Sequence, residues 1–217
     1  MFVVSLPKQS RPHVTGQPPW LTRPTPARPD KTAQEMSQAL YFIIKTLTQL
    51  YLLVLLLRFW LPILGADFRN PLAQGILRVT SPLVVPVRRF VPSIGRLDTS
   101  TILIAYVIQF LTVLLLLTIG GYMVDTIPIM VTTLIELAVL SLNLFFFVIL
   151  IKIILSWVAP HTHNYATALL TALAEPVLRP FRRIIPSIGG LDISPIFAII
   201  LLQAAVIFLQ TLKPIHV

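Results

Sequence analysis

The chain contains no cysteine. That excludes disulfides, thiol redox chemistry, cysteine-bound zinc, iron–sulfur ligation and any haem held through a cysteine of this chain. Charge is scarce as well. Only 12% of residues are charged, and 8 acids face 17 bases. No P-loop, G-x-S-x-G, H-E-x-x-H or dinucleotide-binding fingerprint occurs, so no enzyme activity, catalytic residue or cofactor is expected. His161 and His163 form the only close histidine pair and lack a third clustered His or Cys, so a solvated loop is expected there and no metal site. Residues 1–35 hold seven prolines and no apolar run able to act as a signal-peptide core.

What is abundant is apolar side chain. With 56% hydrophobic residues and a mean hydropathy of +0.85, an ordinary soluble domain is excluded. About 18 consecutive apolar residues suffice to span a bilayer as a helix. Four segments meet that length: 40–62, 101–119, 129–155 and 193–212. The third carries Glu136, Asn143 and Lys152. The runs are continuous and do not alternate as lipid-facing barrel strands do. The expected fold class is all-α integral membrane, with four transmembrane helices.

One stretch is written twice at an offset of 94 residues. The first copy runs Pro82, Pro86, Arg88-Arg89, Pro92-Ser93-Ile94-Gly95, Leu97-Asp98, Ser100. The second runs Pro176, Pro180, Arg182-Arg183, Pro186-Ser187-Ile188-Gly189, Leu191-Asp192, Ser194. From Pro82 to Gln109, 13 of 28 positions are identical, and the offset also matches Arg58 with Lys152 and Asn70 with Asn164. The organisation expected is a disordered extension over 1–35 and two repeats, 36–125 and 126–217, of two membrane helices each. Met36 reads as the start site, because Met36-Ser37-Gln38 leads directly into the first apolar helix. Two spans per repeat give both halves the same orientation, a tandem parallel repeat.

The repeated loop has its own physics. Asn70-Pro71 joins a good N-cap to proline at the first helical position. Leu72, Ile76, Val79 and Leu83 then form one apolar stripe, matched in the second copy by Leu169, Leu170, Leu173 and Val177. Each predicts a short amphipathic helix in the membrane interface, stopped or kinked by its two prolines. The pairs Arg88-Arg89 and Arg182-Arg183 then stand at phosphate depth. They act either as topology signals and lipid anchors or as docking points for an acidic partner or ligand. In the turn that follows, Gly95 and Gly189 are placed to adopt positive φ. Ser100 and Ser194 are expected N-caps, with Asp98 and Asp192 favouring the positive end of each helix dipole or forming an ion site.

Between the first and second spans lie Arg69, Arg78, Arg88, Arg89 and Arg96; between the third and fourth lie Arg179, Arg182 and Arg183. The connection around Gly120-Gly121 and Asp125 has no Lys or Arg. Positive loops stay inside, so both Arg loops are expected in the cytoplasm and both termini outside. The same distribution argues against nucleic-acid binding. Within the spans, Gln49 and Asn143 are repeat-equivalent, as are Gln109 and Gln203, and serve as interhelical hydrogen-bonding groups. Lys45 and Glu136 are nominated as an interhelical ion pair.

The duplicated P-x-x-x-P-x-R-R-x-x-P-S-I-G-x-L-D-x-S resembles the YggT family, also called YlmG, as do Arg58 and the Asn70-Pro71 step. The resemblance covers residues 36–217. It implies a multi-pass protein of the bacterial inner membrane, with relatives linked to osmotic stress tolerance and cell-division gene neighbourhoods. A plastid branch assists cofactor assembly of the cytochrome b6f complex. The function expected is a non-enzymatic scaffold or assembly factor whose Arg loops dock anionic lipid head groups or a membrane-protein partner, with self-association as a further expectation. The alternative is a small transporter or channel component in osmotic or cation homeostasis.

Overall fold

The computed structural model describes residues 31–158, 164–185 and 192–215. Six helices follow one another: α1 (Lys31–Ile63), α2 (Pro71–Arg88), α3 (Thr99–Ile119), α4 (Thr126–Val158), α5 (Tyr165–Ile184) and α6 (Ser194–Thr211). Among the described residues there is no strand. Four segments are long and apolar enough to cross a bilayer: Gln38–Ile63, Thr99–Ile119, Thr126–Val158 and Ser194–Thr211. They coincide with the four spans expected from hydropathy. α1 opens at Lys31, upstream of the expected boundary at Met36, and residues 1–30 lie outside the described residues. So do His161, His163 and the turn 186–191 with Gly189. The chain divides after Gln38: up to that point only the start of α1 is described, and Ala39–Val217 form one compact unit.

Within that unit an apolar helix of bilayer length, a less apolar helix of 18 or 20 residues (α2, α5) and a second apolar helix of bilayer length follow one another twice. The larger apolar cluster joins Leu56 and Leu61 of α1, Ala73 of α2, Leu144, Val148 and Ile149 of α4, Leu173, Ala174 and Leu178 of α5, and Ala198 of α6. A second joins Leu52 and Leu55 with Val84, Ile104, Ala105 and Leu137. Trp60 sets its ring edge-on to Phe145 at 4.9 Å and donates its indole N–H to Ser141 at 3.3 Å, which pins α1 to α4. Many large apolar side chains on the long helices remain exposed, such as Leu47, Leu111, Leu134 and Ile200. Contiguous apolar surface of this extent is unusual on a monomeric soluble protein and is what helices surrounded by lipid present.

The helices α2 and α5 correct one expectation. In α2, Leu72, Val79 and Leu83 of the expected stripe are exposed and Ile76 packs against the larger cluster, while Ala73, Thr80 and Val84 are buried. In α5 the buried residues are Leu173, Ala174 and Leu178. The prolines do not stop the helices. α2 continues through Pro82 and Pro86, and α5 through Pro176 and Pro180. Proline already has a helical φ, and its cost is a missing hydrogen bond and crowding of the preceding turn. In α2 the carbonyls left without a helical donor are those of Arg78 and Pro82, while one turn earlier the Thr80 hydroxyl reaches the Ile76 carbonyl at 2.6 Å and the Ser81 hydroxyl and Arg58 both reach that of Leu77.

Candidate functional site

Basic and acidic side chains gather where each short helix meets the long ones. In the first half Arg58 projects from the last turns of α1 and is only 4% exposed. Its Nη1 donates to Thr80 Oγ1 at 2.8 Å, to Ser81 Oγ at 3.2 Å and to the Leu77 carbonyl at 3.3 Å. Its Nε lies 3.5 Å from Asp98 Oδ2, and Arg88 Nη2 pairs with the same carboxylate oxygen. Asp98 is itself the N-cap of α3, accepting the Thr101 N–H at 3.4 Å. Ser100, expected in that role, sits inside the first turn, and its hydroxyl donates to the Val91 carbonyl. A carboxylate at the cap serves the helix dipole and two guanidiniums together, which a hydroxyl cannot. The turn below closes through paired hydrogen bonds of 3.0 Å between Ile94 and Leu97, with Gly95 at φ +60°. A side chain would strain that backbone.

The second half repeats this frame with different chemistry. Lys152, at the offset position of Arg58, pairs with Glu175 at 3.1 Å. Arg182 bridges Glu175 at 2.6 Å and Asp192 at 2.7 Å. Asp192 Oδ1 accepts the Ser194 N–H at 3.0 Å; Ser194 is the first residue of α6, and Ile193 before it gives no side-chain cap. Burial alone would raise the Glu175 carboxyl, but Lys152 and Arg182 outweigh it and hold the group below its ordinary range. Asp192 is likewise held low, against burial, by hydrogen bonds from Ser194 and the charge of Arg182. Burial lowers Arg182, yet its two carboxylates leave it above its ordinary value.

The Arg pairs therefore divide. Arg88 and Arg182 turn inward onto Asp98 and Asp192. Arg89 and Arg183 are exposed, and among the described residues neither has an ion-pair partner. Exposed Phe90 and Ile184 stand beside them. The two short helices also meet: Asn70 Nδ2 donates to the Tyr165 carbonyl at 2.7 Å while its Oδ1 caps the Leu72 N–H at 2.9 Å. Asn164 caps α5 through a reciprocal box with Thr167.

A separate polar group lies inside α1, α3 and α4, with Lys213 reaching it from just past the end of α6. Glu136 accepts from the buried Gln109 Nε2 and pairs with Lys213 at 2.9 Å, a cation the sequence did not suggest. Lys45, Gln49 and Thr112 join Gln109 and Glu136 around a cavity of about 10 Å³, and the Lys45 ammonium stands 5.5 Å over the Tyr41 ring. Asn143 and Gln203 are half-buried in α4 and α6. Sequence reasoning matched Arg58 with Lys152 but gave neither a role, and it did not single out Glu175 or Lys213. The available signal was a basic residue near the end of an apolar helix, recurring at the repeat offset as Arg58 and Lys152.

Among the described residues, helices alone, four of them long and apolar enough to cross a bilayer, with two basic clusters between them, are the marks of a small membrane protein. The chain belongs to the CCB3/YggT family, whose model matches residues 37–119 and again 131–212. It is 42% identical over 170 residues to an uncharacterized protein of Pseudomonas aeruginosa, covering 77% of this chain and 86% of that one. It is 38% identical to the uncharacterized protein YggT of Escherichia coli K12 over 165 residues, 75% of this chain and 85% of that one. A shorter match, 36% over 63 residues, reaches the chloroplastic YlmG homolog protein 2 of Arabidopsis thaliana, covering 29% and 25% of the two chains. No solved structure matches the chain.

Proposed function

We propose that the protein is a non-enzymatic scaffold or assembly factor of a bacterial inner membrane, built as a tandem parallel repeat. Its two Arg-bearing bends lie at the cytoplasmic face, and its short helices lie in the interface. The observation that carries this reading is the division of the Arg pairs. One guanidinium of each pair is used up inside the frame, while Arg89 and Arg183 stand free at the corresponding place in each half. A topology signal needs only charge, yet here each outer guanidinium stands in sequence between an ion-paired arginine and an exposed apolar side chain. That favours docking of anionic head groups or an acidic membrane-protein partner.

The test replaces both outer residues, Arg89→Lys with Arg183→Lys. Lys keeps the charge and obeys the same inside rule but lacks the planar fork. Crosslinking and copurification from native membrane should lose the partner by ~10-fold or more, the scale of one charge-assisted bond, with membrane level unchanged. Wild-type recovery would reduce these residues to orientation signals. The alternative, a transporter or channel component, draws on the polar group around Glu136. Its cavity of about 10 Å³ has room for about one water, which suits interhelical hydrogen bonding better than passage. Ion flux in proteoliposomes of purified protein would reverse that preference.

A further inference from the structure

We propose that the first half holds an anion pocket for a single phosphate group, bounded by Arg58, Arg88 and Arg96, which the second half has closed with its own carboxylate. An open cavity of about 490 Å³ lies between the end of α1, α2 and the turn 92–98. Its walls include those three guanidiniums, the single carboxylate of Asp98, and apolar Phe68 and Leu77. Asp98 is already shared between Arg58 and Arg88. Arg96 is exposed and has no ion-pair partner among the described residues. Three cations against one anion leave an excess positive charge around a space large enough for a ligand.

Arg58 adds an independent observation. It lines the pocket, is 4% exposed, and its Nε has no hydrogen-bond partner. Its Nε faces Asp98 Oδ2 across 3.5 Å, an ion pair without a hydrogen bond, and an oxyanion in the cavity would supply the closer acceptor that a buried charged donor calls for. The second half shows how the same frame looks when that need is met internally. The position of Ser81 is taken by Glu175, which binds both Lys152 and Arg182, and the position of Arg96 is taken by Gly190. Two bases there face two acids. The first half leaves to a ligand the neutralisation that Glu175 supplies in the second. Phosphate is the class that fits, because guanidinium forks match its oxygens and the pocket borders the end of a span, where head-group phosphates lie. The group can arrive on a lipid or as the free ion.

The pocket uses residues other than Arg89 and Arg183, so it stands or falls separately from the docking reading. Delipidated protein in phosphate-free detergent is titrated with inorganic phosphate by calorimetry. In a second arm it is titrated with short-chain phosphatidylglycerol by native mass spectrometry. One saturable site per chain is expected in at least one arm, and which arm shows it identifies the source. Ser81→Glu, which copies the second half, and Arg96→Ala at an exposed position should each weaken binding by at least ~10-fold, the scale of one charge-assisted hydrogen bond. Arg89→Lys with Arg183→Lys should leave it unchanged. Should Ser81→Glu fail to fold, Arg96→Ala alone decides. Absence of saturable binding in both arms, or wild-type affinity in Arg96→Ala, would overturn the proposal.

Discussion

At the scale of single residues, sequence identity conceals a difference in environment. Asp98 and Asp192 occupy matching places in the two copies, and each binds the inner Arg of its pair. The Asp98 side chain is 8% exposed and also serves buried Arg58; that of Asp192 is 38% exposed, against an Arg182 side chain equally open. Removing one partner of a buried ion pair strands the other charge at a cost of about 3–5 kcal/mol, while a solvent-screened pair is worth ~0–1 kcal/mol. Asp98→Asn is therefore expected to destabilise the protein far more than Asp192→Asn, read as thermal unfolding in detergent. Equal losses would mean that Arg58 does not depend on Asp98. The two Asp were legible as a repeated motif. Their unequal burial was not, because it depends on Arg58 arriving from a helix forty residues upstream in the chain.

At the scale of elements, hydropathy located the four long helices because bilayer thickness imposes a length that sequence must honour. The short helices were harder. Their prolines argued for interruption, yet α2 and α5 both run through them. Their inward faces were also hidden, since lipid-facing and protein-facing positions are both apolar. The link between the two halves at this level is Asn70, which caps its own helix and reaches across to α5. Asn164 caps α5 alone. Loss of an N-cap costs about 0.5–2 kcal/mol, and a lost hydrogen bond that leaves a buried group unpaired about 1–3 kcal/mol more. Asn70→Ala should thus lower stability clearly further than Asn164→Ala in the same unfolding measurement. Comparable effects would show that the bond to Tyr165 contributes nothing.

For the whole molecule, the contact between α2 and α5 matters for topology. The topology proposed above puts both Arg-bearing bends on one side of a membrane, and the contact of α2 with α5 through Asn70 and Tyr165 favours that arrangement. In the same proposal the connection between α3 and α4, with exposed Met123, falls on the other side. Packing leaves open which end is cytoplasmic; charge bears on that, because the bends beside α2 and α5 carry the arginines while the segment from Gly120 to Asp125 carries none. The absence of native cysteine makes the assignment directly testable. Single replacements Ser93→Cys and Arg179→Cys, both at exposed positions, should resist an impermeant maleimide in intact cells and react after permeabilisation. Met123→Cys should react in intact cells. Opposite labelling of Ser93→Cys and Arg179→Cys would break the parallel relation of the halves. Labelling of both from outside would preserve that relation and invert the whole molecule, moving the docking surface of Arg89 and Arg183 away from the cytoplasm.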